Sequence, residues 1–161
     1  MTAMHPLQNY QAKSGSFIPV WTLEIQILES DADRILDAVM AVTPLSYGRY
    51  QRNASVSAVG KETTQPKPNS TTTTHVEGFE AGTTSTFPMV ELKISLDRDV
   101  ELLQAVMDAI IEVHHYEEPV IYLREDWASR SAYNPNSDNP NRWWNNGVGL
   151  PEAVDLVSTE R

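Results

Sequence analysis

Two imidazoles, a phenol and two carboxylates fall on five consecutive residues, His114-His115-Tyr116-Glu117-Glu118, and Pro119 closes the run. Imidazole and carboxylate together suit a divalent first-row metal ion, and the same groups serve as general acids and bases. The residue before a proline is driven out of the α region, so Glu118 is extended and a helix arriving from the N-terminal side ends at or near Tyr116. Ligands this close in sequence converge on one ion only when another element contributes; His75 or a second subunit is the expected contributor. The alternative is a helix C-cap, in which a charged imidazole meets the negative end of the dipole and the glutamates pair with arginine or lysine of a neighbour. Adjacent strand residues point to opposite faces, which argues against Glu117 and Glu118 acting on one substrate atom. The enzymatic alternative is a metal-assisted hydrolase using His75, His114 or His115 with Glu117 or Glu118.

Other groups stand apart from this cluster. Arg49 and Arg52 lie close together and either hold an anionic ligand or pair with the acid-rich surface. Residues 61–85 include Gln65-Pro66-Lys67-Pro68-Asn69-Ser70 and four consecutive threonines, Thr71 to Thr74. Apolar residues are sparse there, so a long mobile loop is expected, with a short strand returning near His75 to Phe79. Such a loop on a rigid scaffold either carries function or is a variable insertion. Trp143 and Trp144, in an asparagine-rich tail, dock that tail or form a sugar or peptide platform. No glycine-rich phosphate-binding fingerprint is present.

Composition narrows the partners. The formal net charge of −10 over 161 residues repels phosphate backbones and anionic bilayers, so neither nucleic acid nor a membrane is an expected partner. With no cysteine, disulfides and thiolate chemistry are excluded. The apolar runs are far short of the roughly 20 residues of a membrane helix. The first residues, with Lys13 their only basic side chain, lack the apolar centre of a secretion signal. A cytoplasmic protein is expected.

The elements that must position the cluster come from hydrophobic periodicity. Residues 1–17 have none and read as a flexible arm. Trp21, Leu23, Ile25 and Ile27 alternate with Thr22, Glu24 and Gln26, a half-buried strand. Ser30 offers a helix cap, Ile35, Leu36, Val39 and Val42 follow at helical spacing, and Pro44 closes the helix. A second strand is expected over Tyr47–Val59. Val90, Leu92, Ile94 and Leu96 form a third alternating strand. Asp97 is expected to cap a helix whose inner face is Val100, Leu103, Val106, Met107 and Ile110, continued by His114. Val120 to Leu123 is the last strand. The main domain is therefore expected over 18–126, with an Asn/Trp-rich tail over 127–161.

The chain also repeats itself. Shifted by 67 residues, positions 21–42 fall on 88–109 with six identities: Glu24 on Glu91, Ile27 on Ile94, Leu36 on Leu103, and Ala38-Val39-Met40 on Ala105-Val106-Met107. Two strand-helix-strand halves give the α+β, ferredoxin-like split βαβ arrangement, an antiparallel sheet with two helices on one face.

With Tyr47-Gly48-Arg49-Tyr50 at a strand start, Ser55-Val56-Ser57 closing that strand, Gly60, Gly78 and Gly82 at turns, and the string His115-Tyr116-Glu117-Glu118-Pro119, positions 21–123 resemble the small domain of the NGG-one-interacting-factor-three (YqfO-type) family in its stand-alone form. That domain is CutA/PII-like. The family usually has a proline where His114-His115 stands here, and its loop is usually shorter. The metal-ligating motifs of its larger members are absent. The resemblance implies a non-enzymatic homotrimer that binds a divalent metal ion or small molecule between subunits, or presents loop 61–85 to a partner protein. The expected metal ligands are His75, His114, His115, Glu117 and Glu118, and the expected ligand-binding residues are Arg49, Arg52 and Tyr116. A structural scaffold without a ligand is the third reading.

Overall fold

A computed structural model describes residues 6–142 and 145. The chain divides into two units, Met1–Ser131 and Ala132–Arg161. The first unit holds, after a 3-10 turn at Pro6–Asn9, strands β1 (Gln11–Ala12) and β2 (Gly15–Ile27), helix α1 (Ala32–Val42), strands β3 (Ala54–Val56) and β4 (Gly60–Thr64), the short helix α2 (Thr71–His75), strand β5 (Ser85–Asp97), helix α3 (Val100–Val113) and strand β6 (Ile121–Ser131).

β6 pairs with β2, β2 with β5, and β5 with β3, all antiparallel. The two repeated halves therefore interleave in one sheet, the ferredoxin-like order expected from the duplication. Directly opposed residues share a face. Leu23 opposes Ile94, Ile25 opposes Leu92 and Ile27 opposes Val90, and all six are buried beneath Ile35 and Val39 of α1 and Val106 and Ile110 of α3. Val39 and Val106, equivalent in the repeat, are both 0% exposed. The other face carries Thr22, Glu24 and Gln26 opposite Ser95, Lys93 and Glu91, and neither α1 nor α3 covers it.

Several elements differ from the sequence expectation. β2 begins at Gly15 and β6 runs to Ser131, past the strand ends expected at Trp21 and Leu123 and past the domain bounds expected at 18 and 126, because the two strands extend one ladder from Ile25↔Ile121 to Gly15↔Ser131. Part of the expected flexible arm is therefore paired backbone. Ser30 does not cap α1: Glu29–Asp31 form a 3-10 turn and Asp31 precedes the helix. The cap of α3 is Asp99, not Asp97; its Oδ1 accepts from the amides of Glu101 at 2.8 Å and Leu102 at 3.1 Å. α3 stops at Val113, short of the expected Tyr116, because His114 is already extended (φ −75°, ψ 141°).

The expected strand over Tyr47–Val59 contracts to Ala54–Val56. Upstream, Tyr47 and Tyr50 bond each other's backbone across a turn through Gly48 (φ +61°). Leu45 (φ +47°) and Arg52 (φ +53°) are left-handed, which breaks the extended chain on both sides. Such a conformation costs a bulky residue of order 1–3 kcal/mol. Burial of the Leu45 side chain, 2% exposed, returns about 1.5–3 kcal/mol, enough to hold it there.

Residues 61–85 hold more regular structure than the expected mobile loop with its one short returning strand. β5 outruns β2, which pairs only with its second half, Val90–Asp97. This leaves the backbone of Ser85–Met89 to be satisfied, and β4 supplies the partner, Gly60↔Met89 through Thr64↔Ser85. The expected strand near His75–Phe79 is instead the end of α2 and the turn after it. Pro66 is buried at the base of this excursion, its carbonyl accepting from the Gly82 amide at 3.0 Å.

In the second unit, asparagine side chains take the place of a ladder. Asn134 Oδ1 accepts from the Asn136 amide at 3.0 Å and Asn139 Oδ1 from the Asn141 amide at 2.9 Å, the local side-chain turns expected of this composition. The docking expected of Trp143 and Trp144 lies outside the described residues. Among the described residues, no helix is long and apolar enough to cross a membrane.

Candidate functional site

The repeat places the end of α3, the start of α1 and the end of β2 at one corner, and the polar cluster occupies it. His114, at the C-cap, is half-buried. Its Nε2 lies 3.1 Å from the carbonyl of Gln26, and its Nδ1 accepts from the amide of Tyr116 at 3.0 Å. An acceptor nitrogen carries no proton, so the partners fix the neutral Nε2–H tautomer. Burial holds its pKa below the ordinary value; the Gln26 carbonyl and the Asp31 charge oppose that shift without cancelling it.

His115 turns the other way. Its Nδ1 sits 2.6 Å from Oδ2 of Asp31, a carboxylate that is 3% exposed. Arg34 donates to the second oxygen, Oδ1, at 3.0 Å. The guanidinium also lies 3.2 Å from the same His115 nitrogen. That nitrogen cannot both donate to a carboxylate and accept from a guanidinium, and the shorter distance to Asp31 favours donation. Arg34 further donates to the carbonyl of Val113, one of the carbonyls that the end of α3 leaves without a helical partner. Asp31 precedes α1, where the helix dipole favours a negative charge.

Tyr116 and Glu117 reach the 60–85 excursion. The Tyr116 hydroxyl donates to Glu62 Oε2 at 2.8 Å, and its ring meets Phe87 edge-on at 6.1 Å. Burial, then the hydrogen bond to the Glu62 carboxylate, raises the phenol pKa well above its ordinary value, so the hydroxyl remains a donor. Glu117 Oε2 accepts from the Thr71 amide at 2.9 Å. The excursion is thus pinned to the corner at its outgoing strand and at α2.

The remaining expected site residues lie elsewhere or engage locally. His75 Nδ1 is 2.6 Å from Thr74 Oγ1 and 3.3 Å from the Thr71 carbonyl, within its own short helix. Glu118 is exposed. Arg52 bonds Asp37 at 2.6 Å and Asp33 at 3.3 Å on the outer side of α1. Arg49 lies exposed in the turn between Tyr47 and Tyr50. Among the described residues, no three histidine, aspartate or glutamate side chains form a group that could hold a metal ion. Asp31, Arg34 and Glu62 were not among the site residues expected from the sequence. The i,i+3 spacing of Asp31 and Arg34 was the one local signal; their meeting with residues 113–115 exists only in the fold.

No protein-family profile matches the chain, and no curated protein matches it in sequence. Solved structures do. A Bacillus cereus protein related to NIF3 superimposes with a TM-score of 0.52 at 17% identity, over 74% of this chain and 29% of that one. CutA of Synechococcus elongatus gives 0.48 at 16% identity, over 72% of this chain and 86% of that one. CPII, a nitrogen regulatory PII-like protein of Thiomonas intermedia, gives 0.43 at 11% identity, over 71% and 98%. The chain thus spans under a third of the Bacillus cereus protein, and the likeness is one of fold.

Proposed function

We propose that the chain is a non-enzymatic, ligand-responsive module of the CutA/PII-like kind. In this reading it assembles as a homotrimer, and the 60–85 excursion is the part that responds. The observation that carries the proposal is the pair of hydrogen bonds, Tyr116 to Glu62 and Thr71 to Glu117, that hold the excursion on the α3 corner. Each is worth about 0.5–3 kcal/mol when one partner is charged. A ligand preferring the released form by about a hundredfold, or roughly 2.7 kcal/mol, would therefore shift the excursion substantially. A small molecule or a divalent ion arriving at Glu62, Tyr116 and Glu117 meets those same groups.

The histidines support a non-catalytic role. His114 has both ring nitrogens engaged, by Gln26 and Tyr116, so it offers no lone pair to a metal without dismantling the cap. His115 is held by Asp31.

Self-association would use the sheet face that α1 and α3 leave uncovered. Tyr122, 55% exposed, stands on it opposite Glu24, and Arg124 bonds Glu24 there. Light scattering of the purified full chain is expected to give a trimer mass, reduced to monomer by Tyr122→Glu. Hydrogen exchange with manganese, zinc or ATP added singly is expected to change in 60–85 and 114–118 with one of them. A monomer at micromolar concentration whose exchange none of the three alters would overturn the reading.

A further inference from the structure

At the opposite end of the sheet from the α3 corner, where α1 ends and α3 begins, a cleft of about 220 Å³ opens between Leu96 of β5, Leu102 of α3, the 43–46 segment and Arg130 of β6. Its size is below the roughly 300–1,000 Å³ of pockets for drug-sized ligands, so an occupant has few heavy atoms.

Arg130 differs from the arginines described above. Arg34, Arg52, Arg98 and Arg124 each bond a carboxylate. Arg130 is partly buried and has no carboxylate partner among the described residues. Its guanidinium lies 4.2 Å from the centre of the Tyr47 ring, which carries it from β6 to the 43–46 segment. Nη1 donates to the Ser129 carbonyl at 2.9 Å; Nε and Nη2 make no hydrogen bond among the described residues, so part of the donor fork is open. In a chain of net charge −10, a partly buried cation left without a countercharge is a cost that a bound anion removes.

The rest of the lining is uncharged. Leu45 and Leu96, 2% and 3% exposed, form the floor, and Pro44 and Leu102 keep apolar surface in contact with water. Asp97 borders the cleft but is exposed, and as the strand neighbour of Leu96 its side chain points to the other face of the sheet. The wall is also held in place. The carbonyls of Pro44 and Leu45 accept from the amides of Arg52 at 2.9 Å and Asn53 at 3.0 Å. The Tyr47 hydroxyl, 3.0 Å from Ser129 Oγ, clamps the segment to the end of β6.

We propose that this cleft binds a short-chain aliphatic monocarboxylate, with the carboxylate on the open side of the Arg130 fork and the hydrocarbon against Pro44 and Leu102. The planar carboxylate matches the planar fork. One cation in an acidic chain favours a single negative charge over the two of a phosphate monoester. The hydrocarbon covers the apolar surface that a bare inorganic anion would leave wet.

The test is calorimetric titration of the full chain with 4-methylpentanoate, acetate, the uncharged 4-methylpentanamide and inorganic phosphate, each up to about 20 mM. 4-Methylpentanoate is expected to bind at least about fivefold more tightly than acetate, which lacks the chain, and at least about tenfold more tightly than the amide, which lacks the charge. Phosphate is expected to bind more weakly than 4-methylpentanoate. Arg130→Gln is expected to weaken 4-methylpentanoate at least about tenfold and leave the amide unchanged. The ligand comparisons and the amide NMR shifts expected at Leu45, Ser46 and Leu102 use the wild-type chain, so they stand whatever becomes of the variant. No binding of 4-methylpentanoate, binding no tighter than that of the amide or acetate, phosphate binding as tightly, or shifts confined to 114–118 would each overturn the assignment. The site shares no residue with the α3 corner, so either reading can fail while the other stands.

Discussion

Asp31 and His115, 84 residues apart in the chain, meet at 2.6 Å, and Arg34 closes the triangle while also holding the end of α3. The carboxylate is buried; the guanidinium is partly exposed. Removal of the guanidinium takes from Asp31 its permanently charged partner and from Val113 its donor. Removal of His115 takes one exposed partner and leaves Arg34 in place. Arg34→Ala is therefore expected to cost about 2–4 kcal/mol and His115→Ala about 0.5–1.5 kcal/mol. Urea unfolding midpoints at unchanged slope measure both. The reverse ranking would mean that the histidine is the main partner of the buried carboxylate.

His114 sets an acid limit on stability. Its folded pKa lies below the ordinary 6.5, so the unfolded chain binds the proton more readily. Stability is then full above about 6.5 and falls as pH drops from there towards the lowered folded value, levelling off beneath it. Protonation at Nδ1 also displaces the Tyr116 amide from its acceptor. Between about pH 7.5 and 5, the wild type is expected to lose stability relative to His114→Gln, which does not titrate. Nitrogen chemical shifts are expected to report the neutral Nε2–H form near neutrality. A difference between the two proteins that stays flat over this range would rule the account out.

The helix cap separates two aspartates that the sequence could not. Asp99→Ala removes an acceptor for two amides of α3 and is expected to cost about 1 kcal/mol. Asp97→Asn, at the exposed end of β5, is expected to stay within about 0.5 kcal/mol of wild type. Thermal unfolding of both variants checks the assignment.

Gly15 stands where β2 and β6 close their ladder. A Cβ there would meet the Arg130 carbonyl oxygen at 2.6 Å, and that atom is backbone and cannot rotate away. Gly15→Ala is expected to destabilise by about 1–2 kcal/mol and to speed hydrogen exchange at 127–131 while leaving 121–125 protected. Uniform loss along β6 would contradict a local clash.

The core was legible because it is periodic. The alternation from Trp21 to Ile27, its echo from Val90 to Leu96, and the matching helical faces suffice to interleave two halves in one sheet. What was not legible depends on partners distant in sequence. β4 forms because Ser85–Met89 outrun β2, a fact about relative strand length that no property of Gly60–Thr64 announces. Leu45 and Arg52 adopt left-handed backbone without glycine, asparagine or aspartate to signal it. The corner was found from its own residues, but Arg34 and Glu62, which hold it, look like ordinary surface charges until the chain has folded.

The hold of the corner on the excursion can be loosened one bond at a time. Tyr116→Phe removes the bond to Glu62 but keeps the ring against Phe87. It also leaves the Glu62 carboxylate without the phenol that faced it. The expected cost is about 0.5–1.5 kcal/mol, concentrated in β4. Glu117→Gln keeps an acceptor for the Thr71 amide but loses the charge, so its effect is expected to be smaller and confined to α2. Hydrogen exchange resolved by segment distinguishes them: faster exchange in 60–64 for the first, in 71–75 for the second, and unchanged protection in 90–97 for both. Because the bonds sit at separate points of the excursion with no shared atom, the double variant is expected to show the sum of the two effects within about 0.5 kcal/mol. A larger loss would mean that the excursion leaves the corner as a single cooperative unit.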